Sequence, residues 1–312
     1  MSPDRPKPDW SAKYWKDMLI YQRKQMIRDD AFAMMVAWLE FKPGLKVVDV
    51  GCGLGYLGYT FWPFFGEGGS YTGIDQNARL VEEAEQAARD WSNGGRVSFQ
   101  AGDAYRLPLP DDGADIVMCQ TLLIHLEKPE QVLSEMARVA RPGGLVVCFE
   151  PDNHNPSLTE LFNSLPERTV EEHLLHVKIQ LISHRGRIKL GDGDKSIGVK
   201  VPHLMNEAGL VDIDVRTNDR AHYIEPPYED MLQKRGLEHL KKYLLDDDNR
   251  ANLIAREKEE FLAGGGDIIE YERYRAMSDK YLAHLKKQVE NGEYYACAAG
   301  AFYIVKARKP GK

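Results

Sequence analysis

Val47-Val48-Asp49-Val50 runs directly into Gly51-Cys52-Gly53-Leu54-Gly55, an apolar strand that empties into a turn with glycine at every second position. Glycines there let the backbone reverse sharply and let a ligand approach main-chain N–H groups with no Cβ in the way. A helix is expected next, and the partial positive charge at its N-terminus favours a carboxylate or a phosphate. The chemistry implied is capture of a charged small molecule by backbone donors. The turn alone does not choose the molecule, because Gly53-x-Gly55-x-x-Gly58 also satisfies the dinucleotide fingerprint.

Acids follow at matching places. Gly73-Ile74-Asp75 closes a second apolar segment, roughly 20 residues beyond the glycine turn, the spacing at which a carboxylate reaches both hydroxyls of a ribose. Asp75, with Gln76 beside it, has a second role open to it: capping the helix expected from about Asn77. Asp49 sits inside an apolar strand, where a carboxylate must be hydrogen-bonded. Its candidate partners are the amides of the glycine turn or a ligand ammonium. Asp103, in Gln100-Ala101-Gly102-Asp103-Ala104, follows a third strand at the same edge. It could accept from an adenine amino group or simply shape a turn.

The elements that must position these residues alternate along the chain. Apolar strands are expected at 45–50, 70–75, 96–100, 114–119 and 143–149, with helices notably at 77–91 and 129–140. Continuous apolar strands separated by helices point to a parallel sheet covered on both faces. Pro63 should kink or shorten the helix after the first strand. Beyond Glu150-Pro151 the rhythm breaks. The expected organisation is an N-terminal helical lid segment (1–44), a cofactor-binding core (45–152), a helical cap insertion (153–200) and a core helix and strand (201–218). A second helical cap insertion (219–292) and a closing core segment (293–312) complete it, with one strong strand at 294–306.

Composition bounds the function classes. The 312 residues are 43% hydrophobic, enough to bury a sizeable core, and the formal charge of −7 argues against a nucleic-acid partner. Cys52, Cys119, Cys148 and Cys297 are scattered and form no C-x-x-C, which suits a reduced, cytoplasmic protein. The polar, Pro-rich start has no apolar core of a signal peptide, and no apolar run is long enough for a transmembrane helix. No metal site is expected: His173 and His176, with His184 beyond, have no obvious third ligand. Asp192-x-Asp194-x-Ser196 begins like a calcium loop but has Ile197 and His203 where glycine and glutamate are required. Asp246-Asp247-Asp248 reads as a solvated turn.

Taken in order, these motifs resemble the class I S-adenosylmethionine-dependent methyltransferases, in particular the branch that methylates small molecules. Val47 to Gly55 is similar to that family's first motif, Asp75 to its acid after the second strand, and Gly102-Asp103-Ala104 to its adenine-contacting motif. Cys119-Gln120 to His125-Leu126, and Arg138 to Gly144, are similar to the motifs on and beyond the fourth strand. The resemblance implies an α/β, Rossmann-like, seven-stranded, mostly parallel sheet with the last strand antiparallel, here joined by the helical cap insertions. It implies that Gly51, Gly53 and Gly55 line the methionine end of S-adenosyl-L-methionine and that Asp75 holds the ribose. Asp103 and Ala104 would hold the adenine and the Gln120 backbone the methionine amine. S-adenosyl-L-homocysteine would be the product and a small molecule the methyl acceptor.

Methyl transfer from a sulfonium needs the nucleophile, the methyl carbon and the sulfur in line and water excluded. A base is needed only for an acceptor protonated at neutral pH. His125, just past the fourth strand, and Glu150, at the end of the fifth, are the candidates, with His154 a further one. Capping or packing against the helix from Pro129 would also explain the first, and closing the strand end against the cap the second. Tyr14 and Tyr21, seven residues apart, could fold over the cofactor as a lid or belong to the core. Two rivals stand beside this reading: an NAD-dependent oxidoreductase, and a non-catalytic nucleotide-binding protein of the same fold.

Overall fold

The computed structural model describes residues 29–91, 94–153, 162–219, 221–298 and 300–311. Tyr14, Tyr21 and His154 lie outside the described residues.

Strands β1 (Lys46–Val50), β2 (Ser70–Asp75), β3 (Arg96–Ala101), β4 (Ala114–Gln120) and β5 (Ala140–Asp152) fill the first half of the chain. The second half adds β6 (Phe162–Asn163), β7 (Val211–Thr217), β8 (His222–Ile224), β9 (Ala296–Ala298) and β10 (Ala301–Arg308). Helices α1 (Asp29–Trp38), α2 (Tyr56–Phe65), α3 (Ala78–Ala87) and α4 (Pro129–Val139) lie among the first five strands. After them come α5 (Val170–Lys189), α6 (Val201–Glu207), α7 (Met231–Leu244), α8 (Asp247–Ala263) and α9 (Ile268–Asn291).

Seven strands form one sheet in the order β3-β2-β1-β4-β5-β10-β7. Neighbours from β3 to β5 are parallel, whereas β10 runs antiparallel to β7. It also opposes β5: Gly143 donates to the Lys309 carbonyl and Lys309 to the Gly144 carbonyl, each at 2.9 Å. The closing strand expected over 294–306 is in fact two. β9 pairs with β6 and β8 in a separate three-stranded sheet, and only β10 enters the large one. Gly300 lies between them in neither strand; glycine has no side chain to pack and weakens a strand interior.

The chain divides into two compact units. One holds the large sheet, with residues up to Pro151, Ser196–Arg220 and Phe302–Lys312; the other takes Asp152–Lys195 and Ala221–Ala301. In the sheet unit the two-residue period sorts side chains onto two faces. Val47, Ile116, Met118, Leu145, Val147 and Phe149 pack with residues of α1, α2 and α3. Val48, Val50, Val117, Cys119, Val146 and Cys148 pack with α4 and α6. Phe32 and Phe41 stack on Phe61 at 5.1 and 4.5 Å, so the described end of the N-terminal segment belongs to the core. Pro63 is accommodated inside the ten-residue α2, near its end.

Among the described residues of the helical unit each α-helix begins on a side-chain cap. Thr169 and Glu172 form a capping box for α5, and Asp230, Asp246 and Asp267 cap α7, α8 and α9. Asp246 therefore opens a helix instead of marking a solvated turn. The carboxylates of the calcium-like run have side-chain neighbours instead: Asp194 lies 3.3 Å from the His184 imidazole and Asp192 lies 3.6 Å from the Arg256 guanidinium. The core of this unit is built on Ile179, Phe261, Tyr271, Tyr274 and Tyr281.

Candidate active site at the strand ends

The glycine turn takes a left-handed backbone, with φ of +69°, +54° and +73° at Gly51, Gly53 and Gly55. Such angles are cheap only for glycine. Two amides anchor the turn to β2: Gly51 and Cys52 donate to the Ile74 carbonyl at 2.7 and 3.0 Å. The third glycine of the fingerprint has a different job. A Cβ on Gly58 would lie 2.1 Å from the ring of Tyr71, so this position is small to let α2 pack directly on β2.

Asp75 binds the turn to the next helix. One carboxylate oxygen accepts from the Gly53 N–H at 2.9 Å, and the other from the Asn77 N–H at 2.9 Å. The cap of α3 is Asn77, which accepts from Arg79 and Leu80; Asp75 orients that cap without supplying it. The carboxylate is only part-buried, so each oxygen keeps acceptor capacity toward solvent or a ligand. Gln76 is exposed beside it. Gly102 donates to the Asp75 carbonyl at 2.9 Å, which brings the β3 exit to the same edge. There Asp103 shapes a turn, accepting from the Tyr105 N–H at 2.9 Å, while its side chain stays exposed and Ala104 is half-buried next to it.

Asp49 lies inside β1, two residues before the turn. It is 1% exposed and accepts from the Tyr71 hydroxyl at 2.8 Å, a partner other than the turn amides and the ligand ammonium expected for it. Parallel register places Asp49 opposite Gly73, and Tyr71 lies two residues earlier on the same face. That spacing is the only trace of the pair in the sequence, and it is legible only once the register is known.

β4 ends on Gln120, and the loop after it carries Thr121 and His125. Thr121, at φ +53°, donates to the Phe149 carbonyl at 2.9 Å. Leu122 lies so close to the glycine turn that a Cβ on Gly51 would sit 2.8 Å from its Cδ1. Neither residue was singled out by sequence. Gln120 is buried and His125 is exposed at the end of the short turn Leu123–His125.

Glu150 is not free to meet an acceptor. It is fully buried, and its carboxylate accepts from the N–H groups of Leu122 and Leu123, both at 2.8 Å, and Ile124 at 3.3 Å. Burial pushes its pKa up to about 7, against the opposing pull of those three amides. It lies inside β5, which runs on to Asp152, and its carboxylate holds the turn after β4.

Among the described residues no cluster of His, Cys, Asp and Glu is arranged to hold a metal. The donor set at this edge (a part-exposed acid beside glycine amides, with a second exposed acid one strand over) fits a cofactor bearing a diol, a charged end and an aromatic base.

A family model described as "Methyltransferase domain" matches residues 41–209. An uncharacterized methyltransferase of Schizosaccharomyces pombe is 37% identical over 112 residues, which cover 34% of this chain and 40% of that protein. A demethylmenaquinone methyltransferase of Lysinibacillus sphaericus is 31% identical over 140 residues, covering 42% of this chain and 58% of its own length. The chain thus spans less than two thirds of these relatives. The solved structure of the YcgJ protein of Bacillus subtilis shares the fold, with a TM-score of 0.51 at 18% identity over 91% of this chain and all of that one.

Proposed function

The chain belongs to the methyltransferase-domain family, and on that premise we propose that it transfers a methyl group from S-adenosylmethionine to an O, N or C nucleophile of a small molecule. The observation that carries the cofactor assignment is the Asp75 clamp, with the Gly53 amide on one oxygen at 2.9 Å and acceptor capacity left over. Family membership, not the glycine turn, chooses between S-adenosylmethionine and NAD.

Gly51, Gly53 and Gly55 would face the methionine end, with the Gln120 backbone near its amine. Asp75 and Gln76 would take the ribose, and Asp103 and Ala104 the adenine. Bound there, the cofactor supplies an electrophilic methyl carbon on a sulfonium, whose departure needs no proton. The protein's own task is orientation and exclusion of water. His125, presented at the exposed end of its turn, is the side chain assigned to orient the acceptor or take its proton. Residues 210–312 lie outside the stretch matched by the family model, and acceptor selection is assigned to this unmatched part of the chain. A small-molecule acceptor agrees with the relative named for demethylmenaquinone. Among the described residues no helix is long and apolar enough to cross a membrane. The free thiols Cys52, Cys119, Cys148 and Cys297 support the cytoplasm as the compartment.

Calorimetric titration with S-adenosylhomocysteine and with NAD tests the cofactor assignment. Micromolar binding of the first alone is expected, and binding of NAD alone would sink it. Incubation with methyl-labelled S-adenosylmethionine and a metabolite extract tests transfer, since a pure binding protein would leave no label on any small molecule.

A further inference from the structure

The turn Leu123–His125 has no cap of its own: Leu122 precedes it with no side-chain hydrogen bond to its amides. The first amides of any helical turn have no acceptor within it. Here the acceptor comes from the neighbouring strand, because Leu122, Leu123 and Ile124 all donate to Glu150 near the end of β5. The same loop is held on its other side by the contact of Leu122 with the glycine turn at Gly51. One buried carboxylate therefore determines how the β4 exit stands against the β1 exit.

We propose that Glu150 is a positioning residue for the reaction: its ionised carboxylate fixes the Gln120–His125 backbone against the glycine turn, and protonation releases it. The coupling of Glu150 to the loop stands on geometry alone; its consequence for catalysis rests on the methyltransferase reading above.

The ionised form matters because of donor counting. A carboxylate only accepts, which suits three incoming N–H groups. A proton occupies one lone pair and removes the charge: on Oε1, which accepts from both Leu122 and Leu123, it would displace one of them, and on Oε2 it would leave Ile124 a weaker, uncharged acceptor. The groups packed around it do not take over. On β4 the Cys119 thiol lies 3.8 Å from Oε1. Its pKa is raised well above the ordinary thiol range, first by its hydrogen bond to Cys148 and then by burial, so it remains a neutral donor. On β5 Cys148 is the partner of that thiol at 3.5 Å. From the segment Ile197–Lys200 the close neighbour is Gly198, against the Glu150 carbonyl; from β1 the nearest charge acting on this thiol pair is Asp49. Burial places the proton equilibrium of Glu150 near pH 7, where a loop controlled by it would respond.

The test combines hydrogen exchange of the ligand-free chain with calorimetry of S-adenosylhomocysteine binding, both from pH 6 to pH 8.5. Corrected for intrinsic rates, the amides of residues 121–125 should exchange about tenfold faster at pH 6 than at pH 8.5, the worth of roughly one charge-assisted hydrogen bond. Those of β1 should not change. Glu150→Gln should show the fast rate at every pH and bind S-adenosylhomocysteine about tenfold more weakly, with no pH dependence between the two limits. Glu150→Asp, which keeps a titrating acid, should retain a pH-dependent exchange. Wild-type exchange that is flat with pH overturns the proposal, and this arm needs no variant to fold. So does an E150Q chain with a loosened loop but unchanged affinity. A pH-dependent loop in a chain that binds S-adenosylhomocysteine at no pH would confirm the coupling and overturn the methyltransferase reading instead.

Discussion

Two carboxylates lie toward the C-terminal ends of two parallel strands of the same sheet, in different surroundings. Asp75, at the end of β2, holds the amides of Gly53 and Asn77 and remains part-exposed. Glu150, near the end of β5, holds three amides and has no exposed surface. Each replaces a missing backbone acceptor where a strand runs into a turn. Water at Asp75 leaves lone pairs for a ligand, whereas burial at Glu150 commits both oxygens to the fold and makes the charge costly. A strand-end acid is thus a binding residue or a positioning residue according to what covers it.

The largest test of that contrast is Glu150→Ala. It leaves three amides, two of them buried and one part-buried, without an acceptor and should cost about 3–5 kcal/mol in denaturant unfolding; a loss below about 1 kcal/mol would erase the distinction. Next comes pH. The folded-state pKa of about 7 lies above the ordinary 4.5, so the folded chain keeps a proton that the unfolded chain gives up as pH rises. Glu150 therefore contributes most below pH 4.5, and roughly 3 kcal/mol should be lost as pH climbs through 7. The slope should vanish in E150Q. The ionised form that orders the loop is thus the one the fold tolerates least. Third, Asp75→Asn should weaken S-adenosylhomocysteine binding about 10- to 100-fold while changing stability by roughly 1 kcal/mol or less. Equal losses of stability and affinity would mean that Asp75, too, is spent on the fold. The smallest effect is expected for Tyr71→Phe, which removes the hydroxyl donor to Asp49 and should cost about 1–2 kcal/mol of stability. Cofactor affinity within about twofold of wild type would place Asp49 outside the binding set.

The residues legible in the sequence were those whose role is local. The glycine turn declares itself through backbone angles that only glycine adopts readily, and Asp75 through its spacing from that turn. The strands could be read because helices separate most of them. Glu150 was ambiguous because its partners lie one strand over, set by the register that puts Cys119 opposite Cys148. Asp49 and Tyr71 depend on register in the same way. The break at Gly300 was invisible because residues on both sides of it favour a strand; only the two different sheets they join reveal it. The acceptor remains the least legible feature, since the helical unit is organised by caps and aromatic packing that any helical bundle could use.

The position of β10 also has a consequence for how the protein is made. β7 finds its neighbour only in β10; at their junction Phe302 donates to Asn218, 84 residues earlier. Until that strand leaves the ribosome, β7 and the outer side of β5 are bare edges of the kind that recruit other chains. At roughly 5–20 residues per second the wait lasts about 4–17 s, the time needed to synthesise most of the helical unit. Yield in the cell should therefore depend on chaperones that shield nascent chains during that interval.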